Sequence, residues 1–161
     1  AATQFDFYGG GGLDIAFLGF GEFDEEGSVN VSRLGGVTVG PGGFIDIAQN
    51  AKKVVFCGTL AAKGVKLETG NGQMRVAAQG AVKKLVKQVD QITFSGPQGL
   101  VRKQEVLYLT ERASFRLTPQ GIELFEIAPG IDLQGDVLDQ MEFAPLVAKD
   151  LGIMDTIHFR A

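Results

Sequence analysis

The chain has 161 residues, 45% of them hydrophobic, and a formal net charge of −4. This length suits one domain with a single buried core, and the acidic balance without clustered Lys and Arg argues against a nucleic-acid partner. The apolar runs are far shorter than the roughly 18 residues of a membrane helix, so we expect no contact with a membrane.

The only cysteine, Cys57, lies in a strand-like apolar run. A lone thiol cannot form an internal disulfide, so the sequence fits a reducing cytoplasm. A thiol in such a run is typical of an inert core residue. Glycine occurs 23 times in small clusters between apolar runs, which predicts many turns and short elements rather than a linker.

The amino-terminal part predicts a frayed end and two strands. Residues 1–4 look frayed, and residues 5–8 alternate as in a strand at the edge of a sheet. Four glycines at 9–12 predict a turn or a close backbone approach. Residues 13–20 form a nearly continuous apolar run bounded by glycine, which is typical of a strand buried on both faces of a parallel sheet.

An acidic hairpin is predicted over residues 22–32, where alternating residues flank a Glu-Gly turn. We interpret its carboxylates as solvated turn residues rather than an acid–base pair, because nothing nearby in the sequence would desolvate them. Asn30 falls on the returning strand, shortly before a glycine loop. Its amide can either satisfy a strand edge or point into a site.

The following stretch, residues 37–58, combines a glycine turn, an amphipathic helix and a buried strand. Gly40, Gly42 and Gly43 begin it, and apolar residues then recur at helical spacing. The first N–H groups of a helix have no partner within it, so such an end attracts negative charge. The glycines therefore make either a plain tight turn or a place to hold a phosphate or a developing oxyanion.

Polar residues after the buried strand are further candidates. Thr59 and Lys63 follow it, and ligands of parallel sheets bind at the carboxyl ends of strands. A hairpin is predicted over residues 65–77, with an Asn-Gly turn, and the alternation continues to residue 94. The lysines within that continuation can form a solvated face or meet a phosphate; they are Lys83, Lys84 and Lys87.

The remaining third predicts a loop, a buried strand, a hairpin, a helix and an apolar tail that lies on the body. These are residues 95–99, 105–112, 113–127, 132–141 with Asp132 as the cap, and 143–150. The only histidine, His158, has no Cys or His companion in the sequence, so we expect neither a general base nor a metal site there.

A set of short motifs runs in order along nearly the whole chain. It comprises GGGLDIAFLG at 10–19, GPGGFID at 40–46, AKKVVF at 51–56, TERASF at 110–115, DVLDQM at 136–141 and FAP at 143–145. Together these motifs resemble the carboxyl-terminal part of a family I CoA-transferase, nearest to the propionate or short-chain acyl-CoA:acetate group. The likeness to succinyl-CoA:3-oxoacid CoA-transferase is more distant.

The resemblance implies ping-pong transfer of CoA through an acyl-glutamyl anhydride and a glutamyl-CoA thioester. It assigns oxyanion stabilisation to Gly42, with Gly43 beside it, and an orienting role to Asn30. It also implies acyl-CoA and a short-chain carboxylate as substrates, no covalently bound cofactor and an oligomer, and the lone cysteine adds the expectation of a cytoplasmic location. The expected fold is α/β, with a mainly parallel central sheet, added β-hairpins and few short helices.

The nucleophile is where the chain departs from the family pattern. In single-chain members the glutamate lies in a Glu-x-Gly motif upstream of the matching segment. The Glu-x-Gly triplets of this sequence, at 25–27 and 68–70, lie instead within that segment, in predicted hairpins. Glu22 is rejected because it falls in the acidic hairpin. We therefore expect residues 1–161 to be one domain from a longer polypeptide, which the start at Ala1 without Met favours, or a subunit whose partner contributes the glutamate. A catalytically silent domain that binds CoA or an anion, or supports assembly, stays open.

Overall fold

The computed structural model describes residues 2–160. The elements in the first part of this range are α1 (Ala2–Gly9), β1 (Ile15–Gly19), β2 (Glu22–Asp24), β3 (Val29–Asn30), β4 (Arg33–Leu34), β5 (Val37–Thr38), α2 (Phe44–Asn50), β6 (Lys53–Cys57), β7 (Ala61–Ala62), β8 (Lys66–Gly70) and β9 (Gln73–Ala78). The later elements are β10 (Val82–Lys83), β11 (Leu85–Val86), α3 (Gly96–Val101), β12 (Glu105–Leu109), β13 (Ala113–Thr118), β14 (Gly121–Ile127) and β15 (Leu146–Ile153).

A six-stranded sheet in the order β1-β6-β12-β13-β14-β15 organises the chain. β1, β6 and β12 run parallel, as do β14 and β15, while β13 is antiparallel to both of its neighbours. Hairpins and few short helices surround this sheet. The predicted α/β fold with a mainly parallel sheet is therefore confirmed.

One face of the sheet carries the core. Phe56 of β6 and Tyr108 of β12 are fully buried there with Phe23 of the acidic hairpin, and the Phe23 and Tyr108 rings lie 4.5 Å apart. Phe44 of α2 stacks on Phe56, with ring centroids 5.7 Å apart, and α1 packs against α2. This confirms the predicted apolar face of α2 and places α2 on the core side of the sheet.

The opposite face of the sheet is open along its parallel edge. Phe17 of β1 is 67% exposed and Ile15 is 44% exposed, whereas Val55 beside them on β6 is buried. The prediction that residues 13–20 form a strand is confirmed, but burial on both faces is wrong. β1 lies at the edge of the sheet, and α2 packs against it on the core side.

Two segments predicted as non-helical are helices. Residues 5–8 belong to α1, which ends where Gly10 and Gly12 donate their N–H groups to the carbonyls of Asp6 and Phe7. The glycine run is thus a helix stop, and four alternating residues were too few to identify a strand. The frayed end is likewise replaced by helix from residue 2 onward; Ala1 lies outside the described residues.

The loop predicted at residues 95–99 is also wrong, because α3 begins at Gly96. The Ser95 hydroxyl accepts from the Gln98 N–H at 3.4 Å, and Pro97 occupies the first turn. Ser followed by Pro at a helix start is a readable signal, since proline lacks the N–H that would have no partner there.

The predicted hairpins β2–β3, β8–β9 and β13–β14 are confirmed. The β8–β9 turn has Asn71 and Gly72 at positive φ, as an Asn-Gly turn requires. The alternation after residue 78 gives only the short strands β10 and β11. An unpredicted hairpin, β4–β5, turns at Gly35 and Gly36, which both have positive φ; the Gly-Gly pair was the available signal.

The helix predicted over residues 132–141 is a π-helical turn at Leu133–Val137 followed by a 3-10 turn at Leu138–Gln140. Asp132 caps it as predicted, its carboxylate accepting from the Gly135 N–H at 2.6 Å. The apolar tail lies on the body as predicted, because β15 pairs with β14.

Candidate functional site

The carboxyl edge of the parallel strands gathers the sequence-predicted site residues. α2 connects β1 to β6, which run in the same direction, so α2 runs back across the sheet and begins at the edge where both strands end. The glycine loop before α2 therefore lies at that edge, together with the residues that follow β1 and β6. Ligands of open α/β sheets bind at this edge.

The glycine loop, residues 40–43, presents unused backbone donors. Gly40 and Gly42 have φ of +84° and +54°, and no atom lies within 4 Å of where a Cβ would stand on either. Among the hydrogen bonds between described residues, none uses the N–H of Gly42 or Gly43. α2 has only seven residues, so these two N–H groups, rather than a long helix dipole, are what the loop offers an anion.

Ser32 holds the start of the glycine loop. Its carbonyl accepts from the N–H of Val39 at 2.8 Å and of Gly40 at 3.3 Å. The buried Ser32 hydroxyl lies 2.9 Å from that of Thr93, which also accepts from the Val31 N–H. The loop is thus open toward solvent but tied to the core at its amino-terminal end.

Asn30 is fully buried and organises the turn before this loop. Its Oδ1 accepts from the N–H groups of Ser32 and Arg33, both at 3.1 Å. Its Nδ2 donates to the Glu22 carboxylate at 2.8 Å and to the Arg33 carbonyl. The amide therefore acts within the turn, one link from the glycine loop through Ser32. Its orienting role stays a prediction.

The acidic hairpin is less solvated than predicted. Asp24 is only 4% exposed, and burial raises its carboxyl pKa, although the N–H groups of Val89, Ser28 and Glu26 donate to it and oppose the shift. The interpretation of Asp24 as a solvated turn residue is wrong, because residues far along the chain cover it. Glu22 accepts from the Asp90 N–H at 3.0 Å as well as from Asn30.

The lysines separate into two groups. Lys63, Lys83 and Lys84 surround one cavity of about 530 Å³ at the carboxyl edge of β1 and β6. Lys87 instead lines another cavity with acidic residues, including Glu142. Thr59 is exposed, and its hydroxyl accepts from the Lys84 ammonium at 3.4 Å.

Cys57 ends β6 and its side chain is exposed, so its interpretation as a core residue is wrong. By strand alternation its side chain lies on the same face of the sheet as Val55 and Phe17. Partial burial nevertheless raises the pKa of the thiol. His158 lies in the last 3-10 turn and is exposed.

Sequence reasoning missed a buried ion-pair network below this edge. Arg112 is fully buried, and its Nε donates to Glu111 at 2.8 Å. Its Nη1 donates to the Gln79 side chain at 2.8 Å and to the Asp136 carbonyl at 3.1 Å. The sequence contains the motif Thr-Glu-Arg, but the burial of Arg112 depends on partners 24 and 33 residues away in the chain.

Within residues 2–160 no group of three or more His, Cys, Asp or Glu side chains is placed to hold a metal ion. None of the helices in this range is long and apolar enough to cross a membrane.

Curated relatives match nearly the whole chain. It is 48% identical over 153 residues to an acetate CoA-transferase, YdiF, of Escherichia coli O157:H7, covering 95% of this chain and 29% of the relative. It is 47% identical over 159 residues to a caffeate CoA-transferase of Acetobacterium woodii, covering 96% and 30%. No family model matches. The chain thus spans about 30% of the length of these relatives.

Solved structures agree with the curated relatives. The crystal structure of the E. coli O157:H7 acyl-CoA transferase YdiF superposes with a TM-score of 0.95 over 98% of this chain and 30% of that one. A second structure of that protein, a thioester complex with CoA, superposes equally well. The resemblance found in the sequence is therefore confirmed.

Proposed function

We propose that this chain, whose close homologues over 95% of its length are CoA-transferases, is part of an enzyme that moves CoA between a short-chain acyl-CoA and a carboxylate. The observation that carries the proposal is the pair of unused N–H groups on Gly42 and Gly43 at the carboxyl edge of the sheet. In the relatives' thioester complex CoA is present, which supports CoA as substrate here.

The proposed reaction needs a carboxylate nucleophile and donors for each oxyanion. A glutamate attacks the acyl-CoA thioester, the CoA thiolate leaves, and an acyl-glutamyl anhydride forms. The thiolate then attacks the glutamyl carbonyl, releases the first carboxylate and leaves a glutamyl-CoA thioester, which the second carboxylate consumes by the reverse steps. Each attack forms a tetrahedral oxyanion that the Gly42 and Gly43 N–H groups would bind.

The glutamate is proposed to come from polypeptide outside these 161 residues, lying upstream in the same enzyme or on a partner subunit. Glu22 does not suit the role, because its carboxylate already accepts hydrogen bonds from the Asn30 side chain and the Asp90 N–H, which hold it away from an attacking position. Transfer from propionyl-CoA to acetate is expected only when a segment with the Glu-x-Gly motif is supplied. Robust turnover by the 161 residues alone would contradict this assignment.

The open face of the sheet supports the same conclusion. Parallel strands are normally covered on both faces, and β1 and β6 are apolar on both. Phe17 and Ile15 are nevertheless exposed, while the chain spans about 30% of its relatives' length. We propose that the further polypeptide packs on this face and completes the domain.

Phe17 gives a test of that packing. In the 161-residue chain, Phe17→Asp is expected to change the free energy of unfolding by less than about 0.5 kcal/mol, because the ring is already in water. In a longer polypeptide that carries the upstream segment, the same change should cost about 3 kcal/mol, since it buries an unpaired charge. Urea denaturation measures both.

Val101, 74% exposed at the end of α3, provides the control for Phe17. Val101→Asp should have a small effect in either length of polypeptide. An equal, small effect of both variants in the longer polypeptide would show that the open face of the sheet stays in solvent.

A catalytically silent domain is the second candidate function. It is favoured by the same intact glycine loop in a chain whose Glu-x-Gly triplets, at 25–27 and 68–70, lie away from the position of the family's nucleophile. The two readings differ in the transfer assay, because a silent domain gains no activity when the Glu-x-Gly segment is added.

A further inference from the structure

Three lysines converge on one cavity at the carboxyl edge of the parallel strands. The lysine cavity, about 530 Å³ in volume, is lined among others by Phe20, Leu34, Lys63, Val82, Lys83 and Lys84. Phe20 follows β1 directly, and its N–H donates to the carbonyl of Cys57 at the end of β6. The cavity therefore lies at the same edge as the glycine loop.

Two of the three ammonium groups of the lysine cavity have contacts within the fold. The Lys83 ammonium donates to the carbonyls of Asp139 and Met141 at 2.9 and 3.3 Å. The Lys84 ammonium lies 4.4 Å from the centre of the Phe20 ring. The Lys63 carbonyl accepts from the Ala81 N–H, which fixes the turn that carries this residue. The three lysines therefore lie on two tied segments, one carrying Lys63 and the other Lys83 and Lys84.

These charges lack anionic partners in the chain. Among residues 2–160, none of the three ammonium groups takes part in an ion pair, although the protein as a whole is acidic. Glu22 is the one carboxylate among the residues lining the cavity, and it is engaged with Asn30 and Asp90. Burial lowers the pKa of Lys84, and Glu111 at longer range partly offsets this.

We propose that the lysine cavity binds the phosphate groups of CoA, with Lys63 and Lys84 contacting phosphate and Phe20 contacting an apolar part of the ligand. Lys83, tied to two carbonyls, adds to the positive potential. Ammonium groups bind phosphate oxygens by charge-assisted hydrogen bonds, and these are strengthened next to an apolar surface. The proposal rests on the proposed function, because it takes CoA as the substrate of the enzyme.

The cavity residues named above lie within these 161 residues, and CoA binding is measured in the longer polypeptide that carries the upstream segment. Isothermal titration with CoA should give saturable binding, and CoA should raise the thermal midpoint, because it binds the folded state only. Pantetheine, which lacks phosphate, and acetate should bind far more weakly. Inorganic phosphate should bind, but more weakly than CoA.

Two variants test whether Lys63 and Lys84 contact the phosphate groups of CoA. Lys84→Met keeps the aliphatic stem over Phe20 and removes the charge, and Lys63→Gln removes the second charge. Each should weaken CoA binding by about three- to tenfold. Lys66→Gln, on β8 outside the cavity, should leave CoA affinity unchanged. Unchanged thermal midpoints without ligand would show that the variants are folded.

Several results would overturn the lysine cavity as a CoA site. One is a wild-type polypeptide that fails to bind CoA at millimolar concentration. Another is binding of pantetheine or inorganic phosphate as tight as that of CoA, and a third is full CoA affinity in both Lys84→Met and Lys63→Gln. An equal loss in Lys66→Gln would do the same, since it would indicate a diffuse charge effect. Transfer activity of the longer polypeptide is read separately, so the proposed function can stand when the cavity assignment fails.

Discussion

Replacing Gly43 by proline is expected to lower kcat for CoA transfer by about 10²- to 10³-fold, or roughly 2.7–4 kcal/mol, in a polypeptide that carries the nucleophilic glutamate. Proline removes one of the two N–H donors proposed for the oxyanion. The φ of Gly43 is −82°, close to the range that proline adopts, and a helix start tolerates proline. The substitution therefore tests the donor with little backbone change.

Gly43→Ala is the matched control, because it keeps the N–H. The nearest atom to its new Cβ would be Cδ1 of Ile47 at 3.8 Å, an ordinary contact. Its kcat should stay within a fewfold of the unsubstituted enzyme. Gly42 is less suited to this comparison, because its φ of +54° strains any residue with a side chain.

Steady-state kinetics with propionyl-CoA and acetate would separate the two outcomes. A donor that acts on the transition state lowers kcat and leaves KM for the acyl-CoA nearly unchanged. Equal activity of the proline and alanine variants, with equal thermal midpoints, would remove Gly43 from the oxyanion site.

Replacing Arg112 by alanine is expected to lower the free energy of unfolding by about 3–5 kcal/mol. The guanidinium is fully buried, and its removal leaves Glu111 charged without its cation and the Gln79 and Asp136 oxygens without their donor. In the unsubstituted protein these hydrogen bonds connect the β12–β13 turn to the residue after β9 and to the turn at Leu133–Val137.

Urea denaturation measures the loss, which should appear as a lower midpoint with an unchanged slope. Arg75→Ala is the control, because Arg75 pairs with Glu68 on the surface and its loss should cost less than about 1 kcal/mol. Arg112→Lys keeps a charge but not the guanidinium fork, and should fall between the two. A cost below 1 kcal/mol for Arg112→Ala would show that the buried network contributes little.

Local pattern explains which elements could be predicted. The glycine loop, α2 and β6 follow from turn residues, helical spacing and an apolar run that agree with one another. The hairpins follow from alternation around glycine. α1 and α3 were not predicted, although each has a residue pattern typical of a helix end: glycines follow α1, and Ser95 and Pro97 stand at the start of α3. Both helices are too short to show a clear helical periodicity, so the glycines and the proline were interpreted as loop residues.

Burial that depends on distant residues was not predictable from the sequence alone. Asp24 is buried by the segment around Val89, and Arg112 by Gln79 and Asp136. The convergence of Lys63 with Lys84 likewise depends on the pairing of β7 with β10. The apolar character of β1 was read correctly, but the sequence could not show that one face of this strand is exposed among the described residues.

The edge position of β1 also bears on how the chain behaves at high concentration. Its outer edge pairs with no strand among residues 2–160, and exposed Phe17 lies on its open face. An uncovered strand edge beside exposed apolar side chains is a template for pairing with another chain. The surface proposed to bind the rest of the enzyme is therefore also where the isolated segment is most prone to aggregate.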